Sequence, residues 1–487
     1  MSNPNNSIQM TDRPNILFIV SDQHSPHVLG CAGNDLIATP SLDALAAQGM
    51  RFDRAYCQNP LCAPSRASLL TGRYSRNIGI YDNMHVLESN SLTFPRALGK
   101  GGYRTCLIGK SHLNGEQYQG YQQRPYGDLY GQAHQPDPRR LPEFGINGLG
   151  DVVGNSGASG IPDPLTQTEI CVAEASKWMQ THKALHPEQP FLLSVHFDKP
   201  HFPIRPPRRF QEKYEGRLSL PRTPDDYLDS VVPFIREAIA HNETGHHYGK
   251  DFDLQLRALE SYYGCVEWVD DAVGRILEVL EYLDFKDNTI VIYTSDHGEM
   301  GGEHGTWQKT VFFEASARVP FIVRWPGHIP AGTLSREVVG LVDCFPTLCE
   351  AAGLEVPAAC DGVSLLPAMR GGTLEREGVF CESAVLRKTE VAGCMYRTGD
   401  WKYAYYLDGS EELYNLLDDP EEWNNLASCP EQTAWVAELR ARTVAFWEPD
   451  RYLERLRKTP IMSREKHFYE FSNQFVTGDG VIVDARP

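Results

Sequence analysis

Two hydrophobic patterns alternate along this chain. The first is the short continuous apolar run. Residues 15–20 (NILFIV) form one, bounded by Pro14 and Asp22. A run without polar alternation predicts a strand buried on both faces, the kind found in parallel sheets. Residues 103–108, 191–197, 289–294 and 321–324 predict further strands on the same grounds. The second pattern is helical. Leu259, Tyr263, Val266, Val269, Val273, Ile276, Leu280 and Leu283 recur every three or four positions, one apolar stripe along a helix over 256–283. Thr166 and Glu169 make a capping box that opens a helix to about residue 185. Residues 39–48 predict a shorter helix stopped by Gly49. Buried strands alternating with helices predict an α/β fold with a doubly wound, largely parallel sheet.

After about residue 370 the pattern changes to short strands with turns, at 395–397 and 401–406, and a helix near 431–447. This predicts a smaller α+β domain at 371–447 behind a catalytic α/β domain at 1–370. At 487 residues the chain exceeds the ~250–300 at which one core stops growing, which agrees with two domains. Residues 114–165, rich in Gly, Pro, Gln and Tyr, read as a pocket wall. His241, His246 and His247 lack carboxylate or cysteine partners at a metal-binding spacing and read as a solvated loop. The tail, 448–487, carries four aromatics within residues 467–475. Aromatic rings favour burial, and this segment is expected to cross to a second copy of the chain in a dimer or larger homo-oligomer.

Charge narrows the partners. The formal net charge of −18 argues against nucleic acid. It also means that an anionic substrate needs a local patch of positive charge at its site. No apolar run is long enough to span a bilayer, so no membrane is expected. Residues 1–14 lack an apolar leader segment, and the 12 cysteines show no C-x-x-C pairs, so a reduced, cytoplasmic setting is expected.

The candidate chemistry sits at strand ends. Asp22, Lys110, His201 and the pair Asp296 and His297 each follow directly after a predicted buried strand. In a doubly wound sheet the carboxyl ends of the strands face one crevice. Asp22 alone reads equally well as a turn residue. Cys62 opens a helix with Pro64 in its first turn, where the helix dipole favours an anion. Alone it reads as a buried structural cysteine.

Cys62-Ala63-Pro64-Ser65-Arg66, followed by Thr71-Gly72-Arg73, resembles the signature of the type I sulfatases of the alkaline phosphatase superfamily. Gly109-Lys110-Ser111-His112, Pro200-His201, Asp296-His297 and Lys309 resemble further motifs of that family. Residues 312–320 look especially like choline sulfatases and related bacterial arylsulfatase-like members. The resemblance covers roughly residues 14–447. It implies an alkaline-phosphatase-like doubly wound mixed sheet flanked by helices, with a smaller α+β C-terminal domain. It also implies a sulfuric ester hydrolase that cleaves an organic sulfate monoester to alcohol and sulfate.

By the same resemblance, a maturation enzyme oxidises Cys62 to formylglycine, whose hydrate is the nucleophile. Asp22, Asp296, His297 and the group at 62 would hold one divalent ion, with Gln23 a further candidate. Hard oxygen ligands favour Ca²⁺, whereas Gln23 and the His297 imidazole favour Mn²⁺. Arg66 and the ion would favour the alkoxide. Lys110 and Lys309 would bind the sulfate group, His201 would protonate the leaving alcohol, and His112 would take a proton from the hydrate. Asn83 lies at the distance from Cys62 of a substrate-contacting Asn in phosphonate monoester hydrolases. The rivals are a phosphonate or phosphate ester hydrolase on the same scaffold and a silent binding protein with an unmodified cysteine. Aryl, small alkyl and sugar sulfates all fit as the small-molecule substrate.

Overall fold

The computed structural model describes residues 13–83, 85, 87–113, 118–127, 153–224, 227, 231–241, 251–385 and 391–458, together with a strand pair at 474–476 and 482–484. Its centre is an eight-stranded sheet. In chain order the strands are β1 (Asn15–Asp22), β2 (Met50–Tyr56), β3 (Arg104–Gly109), β4 (Gln123–Tyr126), β5 (Phe191–Pro200), β6 (Thr289–Ser295), β7 (Phe321–Arg324) and β8 (Thr333–Gly340). Across the sheet they run β4-β3-β5-β1-β6-β7-β2-β8. Only β7 opposes its neighbours, so the sheet is mixed.

β1 lies in the middle, hydrogen-bonded in parallel to β5 and β6, with Phe18 opposite Ser194 on one side and Ile292 on the other. All eight of its residues are buried, as the unbroken apolar run predicts. Alternate residues feed different cores. Ile16, Phe18 and Val20 pack with Ala67 and Leu70 of the helix Cys62–Thr71. Leu17 and Ile19 pack with Val269, Val273 and Ile276 of the helix Phe252–Tyr282 and with Met179 of the helix Gln167–Leu185. A sheet with helical cores on both faces is the doubly wound arrangement. It requires long apolar strands because neither face meets water.

A second, antiparallel sheet of order β12-β11-β10-β9 follows: β9 (Gly378–Val385), β10 (Val391–Thr398), β11 (Trp401–Tyr406) and β12 (Glu411–Asn415). The helix Thr433–Trp447 covers it through Val436 and Leu439, which meet Tyr403 and Leu413. The expected C-terminal helix is thus present, and a further helix, Pro449–Lys458, follows it. Among the described residues, no helix is long and apolar enough to cross a membrane. Residues 467–473 of the tail's aromatic segment and His246 and His247 lie outside the described residues, as do 114–117 and 128–152 of the stretch read as a pocket wall. His241 ends a helix, Pro233–His241, in a stretch whose composition had suggested only loop.

β9 carries a buried carboxyl with a consequence for stability. Glu382 is fully enclosed, and one of its oxygens accepts the Arg76 N–H at 2.9 Å. Burial pushes it up to about 8, against the pull of the Arg76 N–H and guanidinium. The folded protein therefore holds a proton there that the unfolded chain releases above its own, ordinary carboxyl range. Stability should fall as pH rises from about 4.5 towards 8. Urea unfolding at pH 5 and pH 8 tests this. Glu382→Gln keeps the acceptor for Arg76 and should shrink the difference between the two pH values; an unchanged difference would assign it to other groups.

Candidate active site

The sheet brings the predicted residues to one end. Asp22 closes β1, Lys110 follows β3, His201 follows β5, and Asp296 and His297 follow β6. Backbone bonds stitch these ends together: Lys110 N–H donates to the His196 carbonyl at 3.0 Å, and His201 N–H to the Asp22 carbonyl at 3.1 Å. The helix Cys62–Thr71 enters from below with all ten residues buried. It is stopped by Gly72 in the left-handed region (φ 65°), whose N–H caps the Ser68 carbonyl. Cys62 is thereby fixed at the helix N-terminus beside the strand ends.

Asn83 holds that terminus from outside. Its side-chain oxygen accepts the Ala63 N–H at 2.9 Å. The residue is exposed, at the margin of the group around Cys62.

The Cys62 sulfur is the meeting point. His297 Nε2 lies 3.2 Å away and Lys309 Nζ 3.3 Å away. The side chains of His112 and His201 also hydrogen-bond it. Asp22 Oδ1 lies at 3.9 Å. Arg66, one turn along the helix and only 2% exposed, ties the carboxylates down. Its Nε meets Asp296 Oδ2 at 2.7 Å, its Nη2 meets Asp22 Oδ2 at 3.0 Å, and its Nη1 donates to the Lys110 carbonyl at 2.7 Å. Lys110 Nζ reaches Asp22 Oδ2 at 2.6 Å. Three cations thus cluster here in a chain of net charge −18, the local patch that the composition demanded.

The field shows in the ionisations. Burial pushes the Cys62 thiol up, but Lys309, Lys110 and His297, with a hydrogen bond from His112, pull it well below the usual thiol range. Burial and Cys62 push Asp22 up, yet Lys110, His201 and Arg66 hold it far below the ordinary carboxylate range. Burial, Lys110 and Lys309 push His201 down to about 3, with Asp22 opposing. His201 Nδ1 lies 2.7 Å from the Phe202 carbonyl, which can only accept, so in the neutral ring the proton sits on Nδ1 and Nε2 faces the site.

The donor set fits a divalent cation. One ligand atom each from Asp22, Cys62, Asp296 and His297 lie within 4.8 Å of one another, all buried. His297 Nδ1 is 3.0 Å from the Gly298 carbonyl, which leaves the Nε2 lone pair facing the cluster, as a metal-binding imidazole requires. Asp22 Oδ1 and Asp296 Oδ1 stand 3.8 and 3.7 Å from that nitrogen, about the spacing of neighbouring donors on one ion with bonds of roughly 2.1–2.5 Å. Gln23 lies beside this set, with its amide oxygen accepting from Lys309 and its amide nitrogen donating to Glu299.

Sequence reasoning had not singled out Glu299. It is 1% exposed, three residues after Asp296. An acid so soon after a metal-type pair was a signal, but its partner Gln23 lies 276 positions away.

Comparison with known proteins agrees with this geometry. The family model described as Sulfatase matches residues 14–354, and the model described as N-sulphoglucosamine sulphohydrolase, C-terminal, matches residues 302–447. The chain is 32% identical to the N-acetylglucosamine-6-O-sulfatase of Bacteroides thetaiotaomicron over 76% of its own length and 72% of the relative's. It is 32% identical to the choline-sulfatase of Rhizobium meliloti over 83% and 81%. Among solved structures, the phosphonate monoester hydrolase of Agrobacterium radiobacter superposes with a TM-score of 0.73 at 26% identity, covering 98% of this chain and 100% of that one. A further structure, solved with its substrate D-glucosamine-2-N,6-O-disulfate, gives 0.72 at 25% identity, covering 90% and 98%. With a matched family model across most of its length and the signature cysteine seated among cations at the strand ends, this chain belongs to the sulfatase family.

Proposed function

We propose that the protein hydrolyses an organic sulfate monoester, an aryl or small alkyl sulfate, to alcohol and sulfate. The observation that carries the reading is the environment of position 62. Lys309 Nζ lies 3.3 Å from the buried Cys62 sulfur, and Lys110 and Arg66 stand beside it on Asp22, so this cluster of cations would favour an oxyanion at the same place. Formylglycine formed from Cys62 by a maturation enzyme would supply a hydrated aldehyde as nucleophile. A divalent ion, Ca²⁺ or Mn²⁺, held by Asp22, Asp296, His297 and the group at 62 would polarise a sulfate oxygen.

The chain's own residues do the rest. Arg66 holds Asp22 and Asp296 in place and opposes the burial that pushes Asp296 up. Lys110 and Lys309 offset the charge on the group being transferred. His112, hydrogen-bonded to position 62, takes up the proton released there. The incoming sulfate offsets the two lysines that hold His201 down, and His201 would pass a proton from Nε2 to the leaving alcohol. The site recognises the sulfate end of the ester. We also propose a homo-oligomer joined through the tail.

A phosphonate or phosphate ester hydrolase is the second reading, favoured by the superposition on a phosphonate monoester hydrolase. One set of assays separates the two and tests His201. Purified, mature protein should cleave aryl sulfates with a higher kcat/KM than phenyl phosphonate monoesters. His201→Ala should slow esters of poorly acidic alcohols by about 10²–10⁴-fold and esters of acidic phenols much less. Preference for the phosphonate would overturn the sulfate reading. Equal loss on both leaving groups would move the acid role to Lys309.

A further inference from the structure

Glu299 has no role in the mechanism above, yet its buried carboxylate accepts three hydrogen bonds beside the site. Its Oε1 accepts the N–H of Gly301 at 2.9 Å and of Gln308 at 2.6 Å. Its Oε2 accepts from the Gln23 amide nitrogen. The Gln23 amide oxygen accepts from Lys309 Nζ, which donates on to Cys62 Sγ at 3.3 Å. All four side chains are at most 3% exposed.

The backbone around Lys309 is held in place as well. Gln308 (φ 71°) and Thr310 (φ 81°) flank it in the left-handed region, which non-glycine residues rarely adopt. Thr310 N–H is tied to the Pro60 carbonyl at 3.0 Å, and its carbonyl accepts from Ser383 Oγ at 2.8 Å.

Hydrogen-bond chemistry permits one arrangement of these groups. A carboxylate only accepts and an ammonium only donates. The Gln23 amide between them must therefore turn its NH₂ to Glu299 and its oxygen to Lys309. We propose that Glu299 is a positioning residue that fixes the orientation of the Gln23 amide and so seats the Lys309 ammonium on position 62. The proposal rests on the reading of Lys309 as an active-site cation and adds what holds it there.

The alternative is that Glu299 only clips the loop through Gly301 and Gln308. Glu299→Gln separates the two roles. A glutamine oxygen can still accept both backbone N–H groups, but its NH₂ then faces the NH₂ of Gln23. If the Gln23 amide turns over, it presents NH₂ to the Lys309 ammonium, donor against donor. The exchange variant Gln23→Glu/Glu299→Gln restores every bond: Glu at 23 accepts from both Lys309 and Gln at 299, whose oxygen keeps the two backbone donors.

Two measurements on the metal-loaded protein decide. In the first, Glu299→Gln should lower kcat on an aryl sulfate by about 10²-fold, the scale of one lost oxyanion donor. In the second, calorimetry with inorganic sulfate should show binding weakened by about tenfold, the scale of one charge-assisted hydrogen bond. The exchange variant should return both values to within about fivefold of the parent, on the same scale. Unchanged sulfate affinity in Glu299→Gln, or an exchange variant no better than the single one, would overturn the proposal. If the parent itself leaves sulfate esters intact, the sulfatase reading fails, while the order of the three sulfate affinities still decides the role of Glu299.

Discussion

Arg66→Met should destabilise the protein by about 3–5 kcal/mol, the cost of removing one partner from a buried ion pair. The guanidinium bonds carboxylates at the ends of two different strands, and both are fully buried. Without it Asp22 keeps Lys110 at 2.6 Å, whereas Asp296 keeps the backbone N–H groups of Gln23 and His297 and the more distant His297 ring at 3.7 Å. Two like charges at the bottom of the site would then lack the cation between them. Activity should fall with stability, by about 10²–10³-fold, because the same cation positions the two carboxylates that line position 62. Arg66→Lys should be intermediate, since an ammonium is a single point and cannot fork between two carboxylates. Added Ca²⁺ or Mn²⁺ should recover part of the lost stability by binding the carboxylates of the folded state. Urea unfolding with and without metal measures each quantity. A Met variant as stable as the parent would mean that the carboxylates are neutral in the folded protein.

Cys62→Ser should abolish turnover, a loss of roughly 10⁴–10⁶-fold if the residue is the nucleophile. A serine hydroxyl in the same field could attack once. It lacks the second hydroxyl that would let sulfate leave by regenerating a carbonyl, so at most one turnover per molecule is expected. The parent should carry formylglycine when produced with a maturation enzyme and cysteine when produced without it. Mass spectrometry of the tryptic peptide spanning residues 55–66 reads the difference, and Cys57 in the same peptide is an internal control that should remain a thiol. Activity should track the modified fraction. Full activity in protein whose Cys62 is entirely unmodified would remove formylglycine as the nucleophile.

The strands that position the site were legible because they are buried on both faces. In β1, β5 and β6 the buried runs 16–20, 191–193 and 290–293 are apolar throughout. The chemistry was legible where polar residues follow such a run directly, as at Asp22, Lys110 and Asp296. β2 and β8 were missed for the opposite reason. They form one margin of the sheet, part of each strand is open to solvent, and the charged residues Arg51, Asp53, Arg54, Arg336 and Glu337 break their hydrophobic pattern.

By itself, the sequence determined the α/β class, the signature around Cys62, and which strand ends carry carboxylate, lysine and histidine side chains. Those features are local, since burial of a strand and the start of a helix are written in adjacent residues. Tertiary structure alone decided the order of the strands, the cap that Asn83 places on the helix of Cys62, and the line from Glu299 through Gln23 to Lys309. Each of these depends on donors and acceptors far apart in the chain, 276 residues in the case of Gln23 and Glu299. No residue's own type fixes which distant group it will face, because hydrogen bonds act over about 3 Å and only the folded chain sets that distance.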